Sequence, residues 1–132
     1  MARRLLPCDS VSHERIRLGE IGENLACQEL ERRGYSVVAR RYRRRGGEID
    51  IIALDGATLV FVEVKARHGR VYGLAAEAVT AIKRRRLASV ALDYVARHHA
   101  HNCPCRFDVV AIQLTSDGPE IELFQNAFAM TG

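Results

Sequence analysis

No apolar run in this 132-residue chain approaches the roughly 20 residues a membrane-spanning helix needs, which excludes a helical membrane anchor. The first residues offer only Leu5-Leu6 before Pro7 and Asp9, too little apolar length for a secretory signal, so the expected location is cytoplasmic. The four cysteines, Cys8, Cys27, Cys103 and Cys105, contain no CxxC pair, and reduced thiols are expected rather than a disulfide framework. Internal repeats, low-complexity tracts and linkers are missing too. At this length the reading is one domain, residues 13–128, behind an N-terminal extension of residues 1–12. Lysine is scarce: of 20 basic residues only Lys65 and Lys83 are lysine.

What is present has globular proportions, 48% hydrophobic and 27% charged, with a net charge of +4. The positive excess sits entirely in the first third, with 11 basic against 6 acidic residues up to Gly46. Its densest part is Arg40-Arg41-Tyr42-Arg43-Arg44-Arg45, a band suited to a phosphate backbone or an acidic surface. Solvated arginine runs are common, so the band gains weight only from what surrounds it.

Leu18, Ile21, Leu25, Ala26 and Leu30 recur at helical spacing and predict a first helix from Leu18 that ends at Gly34. Glu23 falls at the border of that stripe, and Glu29 interrupts it. Three strand-like stretches follow, Ser36 to Arg41, Glu48 to Leu54 and Thr58 to Lys65. Ala66 to Gly73 reads as a loop, and Thr80 as the N-cap of a second helix whose stripe is Leu87, Val90, Ala91, Tyr94 and Val95. Arg106 to Leu114 and a short Ile121 to Phe124 complete the strands around a turn at Ser116-Asp117-Gly118-Pro119. The expected fold is α/β, a sandwich with a mixed sheet of about five strands and two main helices.

Asp55-Gly56 between two β-like runs predicts a type I′ hairpin with Leu54 opposite Ala57. Counting outward sets Asp50 opposite Phe61 and Glu48 opposite Glu63. Period-2 alternation then gathers Glu48, Asp50, Glu63 and Lys65 on one face and Val60, Val62 and Val64 on the other. A slip of one residue would split the cluster. Unpaired buried charge costs several kcal/mol, so carboxylates on such a face call for compensation. Asp50 and Glu63 could reach one Mg²⁺ or Mn²⁺, with Lys65 beside them to stabilise phosphate charge or an attacking water. Glu63-Val64-Lys65 is the ExK half of the PD-(D/E)xK nuclease motif. The triplet is common by chance and draws its weight from the hairpin and from the helix carrying Glu23. The competing reading is a salt-bridged hairpin in which Lys65 merely neutralises Glu63.

Lys83, in the first turn of the second helix, and Arg84 beyond it are candidates for phosphate contact, as is a plain solvated helix end. Arg67 and Arg70, in the glycine-bearing loop, are placed to touch a nucleic-acid backbone, and Arg43, Arg44 and Arg45 join them. His98 to Cys105 lacks the paired ligand spacing of a zinc site. Cys27 reads as a packing residue. Asp108 fits either an extra ligand or a partner for Arg106, and Tyr42 either a base-stacking ring or a half-buried strand end.

Gly19-Glu20-Ile21-Gly22-Glu23, Gly47-Glu48-Ile49-Asp50, Phe61-Val62-Glu63-Val64-Lys65, Gly73, Ala78-Val79 with Lys83, Arg106-Phe107-Asp108-Val109 and Asn126-Ala127-Phe128 together resemble the YraN family of bacterial proteins. That family is similar to archaeal Holliday-junction resolvases and is assigned the restriction-endonuclease-like fold. The resemblance implies a catalytic set of Glu23, Asp50, Glu63 and Lys65, with metal held by Asp50, Glu63 and Val64. Two departures stand out: Arg41, where relatives usually carry asparagine before the aromatic, and Glu29, where they carry an apolar or aromatic residue. The expectation is a Mg²⁺-dependent endonuclease hydrolysing phosphodiester bonds in DNA, branched DNA included. The alternative is a non-catalytic nucleic-acid-binding module that keeps the fold. Resolvases of similar fold act as dimers, since two cuts need two sites, so a homodimer is among the expected partners although no sequence feature specifies one.

Overall fold

A computed structural model of the chain describes residues 7–69 and 80–129. Arg70, Gly73, Ala78 and Val79 of the sequence reading lie outside the described residues.

The first helix, α1, spans Pro7–Arg32 and so begins well before Leu18. Helical periodicity needs recurring apolar residues, and Asp9 to Arg15 hold only Val11. Gly34 closes the helix as expected: it takes φ +94°, and the Tyr35 N–H reaches back to the Leu30 carbonyl at 2.9 Å, the Schellman arrangement. The buried face runs through Gly22, Glu23, Ala26, Cys27 and Leu30, whereas Ile21 is 41% exposed, so the packed stripe is rotated from the one expected.

Five strands follow in sheet order β1 (Ser36–Arg44), β2 (Gly47–Asp55), β3 (Thr58–His68), β4 (Cys105–Thr115) and β5 (Gly118–Phe128). All neighbours are antiparallel except β3 and β4, which are parallel. Helix α2 (Ala81–Arg97) lies between those two strands in the chain. Its N-cap is Thr80, whose hydroxyl accepts the Lys83 N–H at 3.2 Å.

Three strands outrun their sequence signals. The arginine band continues β1 to Arg44, and Ala66, Arg67 and His68 belong to β3 rather than to a loop. β5 covers Gly118–Phe128 because an edge strand tolerates polar residues such as Glu120, Glu122 and Gln125 on its open side.

Alternate residues of the central strands divide between two cores. Ile52, Phe61, Phe107 and Val109 pack with Leu87, Val90 and Ala91 of α2. Ile51, Ala53, Val60, Val62 and Val110 pack with Ala26, Cys27 and Leu30 of α1. Each fully buried aliphatic or aromatic side chain contributes about 1.5–3 kcal/mol, and this two-sided burial fixes which way every strand faces. No described helix is long and apolar enough to cross a membrane.

The β2–β3 hairpin differs from its expected register. Asp55 pairs with Thr58 and Leu54 with Leu59, so the turn residues are Gly56 and Ala57. Gly56 takes φ +61° and Ala57 is not among the residues with positive φ, the pattern of a type II′ rather than a type I′ turn. Asp55 is held in the strand by Arg106, whose Nη2 donates to its carboxylate at 2.7 Å. Leu54 thus meets a residue two places beyond Ala57, and Ile52 takes the position opposite Phe61 that was expected for Asp50. A shift of two would by itself leave every side chain on its own face, but the alternation of β2 breaks at Asp50: Ile49 packs with Ile52 in the α2 core while Ile51 packs in the α1 core, so Glu48 and Asp50 do not keep the face expected for them with Glu63.

Candidate metal centre

The β2–β3 ladder runs from Asp55–Thr58 to Ile51–Val62 and stops there. Beyond it β2 continues beside β1 to Gly47, while β3 continues beside β4 to His68. The strands open like a fork, and the first residues past the join are Asp50 on one prong and Glu63 on the other. Where a ladder carbonyl would have been, the Asp50 Oδ2 accepts the Val64 N–H at 2.8 Å. In an extended strand the N–H and C=O of one residue face the same neighbour, so the Val64 carbonyl is also directed into the fork.

β1 kinks beside this point. Its pairing with β2 passes from Arg40–Ile51 to Tyr42–Ile49, and Arg41 between them takes φ +51°. The left-handed region disfavours arginine and tolerates asparagine, which supplies a backbone reason for the residue the family resemblance sets there.

Burial pushes the Asp50 carboxyl up to about 7; the charge of Glu63 and a side-chain hydrogen bond with it add to the rise, against the Val64 N–H and Lys83. Glu63 is buried, its side chain 7% exposed, and the Nζ atoms of Lys65, at 3.7 Å, and of Lys83 both address its Oε1. The only two lysines of the chain therefore meet on one carboxylate oxygen. Burial lowers the Lys65 pKa, and the neighbouring Lys83 lowers it further. For Lys83 burial also acts downward, but the bond to Glu63 outweighs it and the net shift is upward.

Glu23 reaches the same region from α1. It is buried and accepts from Arg40 Nε at 2.7 Å and Arg41 Nε at 3.0 Å. Gly22 makes the approach possible, since a Cβ there would stand 2.5 Å from the Ala66 Cβ. An open cleft of about 510 Å³ lies between α1 and the fork, lined by Glu20, Glu23, Arg43, Glu48, Asp50 and Lys65 among others.

The donors at the fork are two carboxylates and a main-chain carbonyl, hard oxygens of the kind Mg²⁺ and Mn²⁺ take. Among the described residues no three His, Cys, Asp or Glu side chains cluster closely enough to hold a metal. An ion here would complete its shell with water or phosphate oxygens, as Mg²⁺ commonly does.

The basic residues singled out in the sequence have different surroundings. Arg43 is exposed and pairs with Glu48 at 3.3 Å. Arg44 is tied to Asp93 at 2.9 Å and lies over the Tyr42 ring. Arg45 is exposed in the turn after β1, and Arg67 is exposed on β3. Arg84 lies over the Phe128 ring, and its buried Nε has no hydrogen-bond partner among the described residues. The Tyr42 hydroxyl donates to Asp93 at 2.7 Å and its ring meets Tyr94 edge-on, so Tyr42 is a packed strand residue. Asp108 holds Arg106, whose Nε donates to it at 3.0 Å. Neither Arg40 nor Arg41 was read from the sequence as a partner of Glu23, although both stand in the band that drew attention for its charge and Arg41 was noted as a departure from the family pattern.

The fold and cleft define an α/β protein with an acid-and-lysine centre where two sheet strands part. A family profile described as uncharacterised protein family UPF0102 matches residues 22–112, which hold Glu23, Asp50, Glu63, Lys65 and Lys83. UPF0102 protein STH1475 of Symbiobacterium thermophilum is 54% identical over 113 residues, 85% of this chain and 96% of its own. UPF0102 protein GSU0650 of Geobacter sulfurreducens is 45% identical over 126 residues, 95% of this chain and 98% of its own. The chain belongs to the UPF0102 family.

Proposed function

We propose that this protein is a metal-dependent endonuclease of the PD-(D/E)xK type that hydrolyses phosphodiester bonds in DNA, with branched DNA among its substrates. The observation that carries the reading is the fork, where Asp50 and Glu63 are the first residues past the parted ladder, with Lys65 beside Glu63 and with Asp50 and Lys65 lining an open cleft. Asp50, Glu63 and the Val64 carbonyl would hold Mg²⁺ or Mn²⁺. When bound, that ion supplies Lewis-acid stabilisation of the charge that builds on the phosphoryl oxygens. Lys65 would stand beside the same oxygens as a compact cation that stabilises their charge and orients an attacking water. Glu23 borders the cleft and, through Arg40 and Arg41, sets how β1 closes it.

A second reading has its own observation. Glu23 and Glu63 already carry cations of the chain itself, and a centre neutralised in this way can bind a polyanion without cutting it. Incubating the protein with branched, duplex and single-stranded DNA in Mg²⁺ or Mn²⁺ separates the two. The nuclease reading expects cleavage that falls by about a hundredfold or more in Lys65→Ala and in Asp50→Asn. Binding of DNA without cleavage, or cleavage equal in the variants, would favour the binding module.

A further inference from the structure

Lys83 belongs to two places at once. Its Nζ is on Glu63 in the fork, while its side chain, 39% exposed, lines a separate cleft of about 1030 Å³ between the β1–β2 turn and the start of α2. That cleft is basic: Arg43, Arg44, Arg45 and Arg86 line it together with Lys83. Arg45 and Arg86 point no ion pair at any described residue, so two guanidinium groups are free to meet an external anion. Arg43 and Glu48 line both this cleft and the one at the fork, which makes the two neighbours around the β1–β2 edge.

We propose that a divalent cation at the fork and a nucleic-acid backbone in the basic cleft bind cooperatively, with Lys83 as the coupling residue. The proposal rests on the nuclease reading of the fork and adds a rule for loading it. A cation on the Glu63 carboxylate competes with the Lys83 ammonium bonded to it, because it would add a further positive charge to a buried acceptor that two ammonium groups already address. A phosphate in the basic cleft offers that ammonium a new partner on its own side of α2. Each ligand lowers the cost of the other, and by linkage the factor is the same in both directions. The other arginines of the cleft set backbone affinity, and Lys83 alone sets the coupling. Lysine suits this role better than arginine because a compact ammonium on a flexible stem can change partners.

The test uses the full chain and two probes, Mn²⁺ alone by calorimetry and a short DNA duplex by fluorescence anisotropy at low salt. In wild type, DNA affinity is expected to rise by about fivefold or more when Ca²⁺ replaces EDTA, the lower end of typical allosteric coupling. Lys83→Gln is expected to bind Mn²⁺ about tenfold tighter than wild type without DNA, and its DNA affinity is expected to become insensitive to Ca²⁺. Arg86→Gln, which removes a charge from the same cleft but none from Glu63, is expected to weaken DNA binding and leave Mn²⁺ affinity unchanged. Circular dichroism confirms that each variant is folded. If wild type binds Mn²⁺ through Asp50, as shown by loss in Asp50→Asn, yet Lys83→Gln binds no tighter, the coupling is overturned and the nuclease reading stands. If neither wild type nor Lys83→Gln binds Mn²⁺, both fall.

Discussion

Two acidic centres belong to the same sheet, and their surroundings differ in kind. Asp108, fully buried and in the register of Val110 and Ile112, faces α1. It accepts from the Tyr35 hydroxyl at 2.9 Å, from Arg106 Nε at 3.0 Å and from the Asn126 N–H at 2.9 Å. Arg106 divides its remaining capacity between Asp55 and Tyr35, and Gln125 closes the knot on the Tyr35 hydroxyl. Every strong donor and acceptor in that group has a partner of the chain's own. Asp50 instead receives one backbone N–H and faces a second carboxylate, and two ammonium groups crowd the oxygen of Glu63. A satisfied network holds a fold together, whereas like charges pressed together in a cleft are maintained against stability and mark a place for something else to bind.

The sharpest way to break this contrast is Asp108→Ala. It leaves the Tyr35 hydroxyl and the Asn126 N–H without their acceptor and Arg106 with Asp55 as its remaining carboxylate, and the expected loss is about 3 kcal/mol in denaturant unfolding. A loss under 1 kcal/mol would show that the knot is not structural. Gly22→Ala comes next. Its Cβ cannot fit against Ala66 without moving α1, so about 1–3 kcal/mol of stability should go, together with cleavage as Glu23 is displaced.

Asp50 sharpens the comparison through pH. Its folded pKa of about 7 stands above the ordinary 3.8, so its contribution to stability is complete below about pH 4 and is lost as pH rises through about 7. In EDTA, the stability of wild type relative to Asp50→Asn should fall across that interval and level off above it. A flat difference would mean Asp50 is not held protonated by burial and Glu63. The smallest effect belongs to Arg41→Asn. Relief of the left-handed backbone opposes the loss of a half-buried ion pair to Glu23, which keeps Arg40, for a net gain of up to about 1 kcal/mol in the same unfolding measurement.

The contrast also explains what the sequence could and could not reveal. The five strands, both helices and the Gly34 and Thr80 caps follow from local rules, because periodicity and capping chemistry act within a few residues. The hairpin turn was misplaced because Asp55 looks like a turn residue until Arg106, distant in the chain, holds it in the strand. The nearness of Asp50 and Glu63 was readable from the hairpin, whereas a shared face was not borne out, because the alternation of β2 breaks at Asp50. The fork was not readable, because where two strands part depends on both outer neighbours. The convergence of Lys65 and Lys83 had a compositional signal in their being the only lysines, but their meeting on one oxygen requires α2 to be in place. Asp108 stayed undecided for the same reason: its partners come from Tyr35, Arg106 and the Asn126 backbone, where φ is +52°.

Anomalous diffraction from crystals of the protein grown with Mn²⁺ and a short DNA duplex puts the central claim to its most direct test. The expected result is one strong peak between the Asp50 and Glu63 carboxylates, with the Lys83 ammonium moved from Glu63 onto a phosphate. A fork without a peak, or a Mn²⁺ ion held elsewhere while Lys83 keeps Glu63, would contradict it.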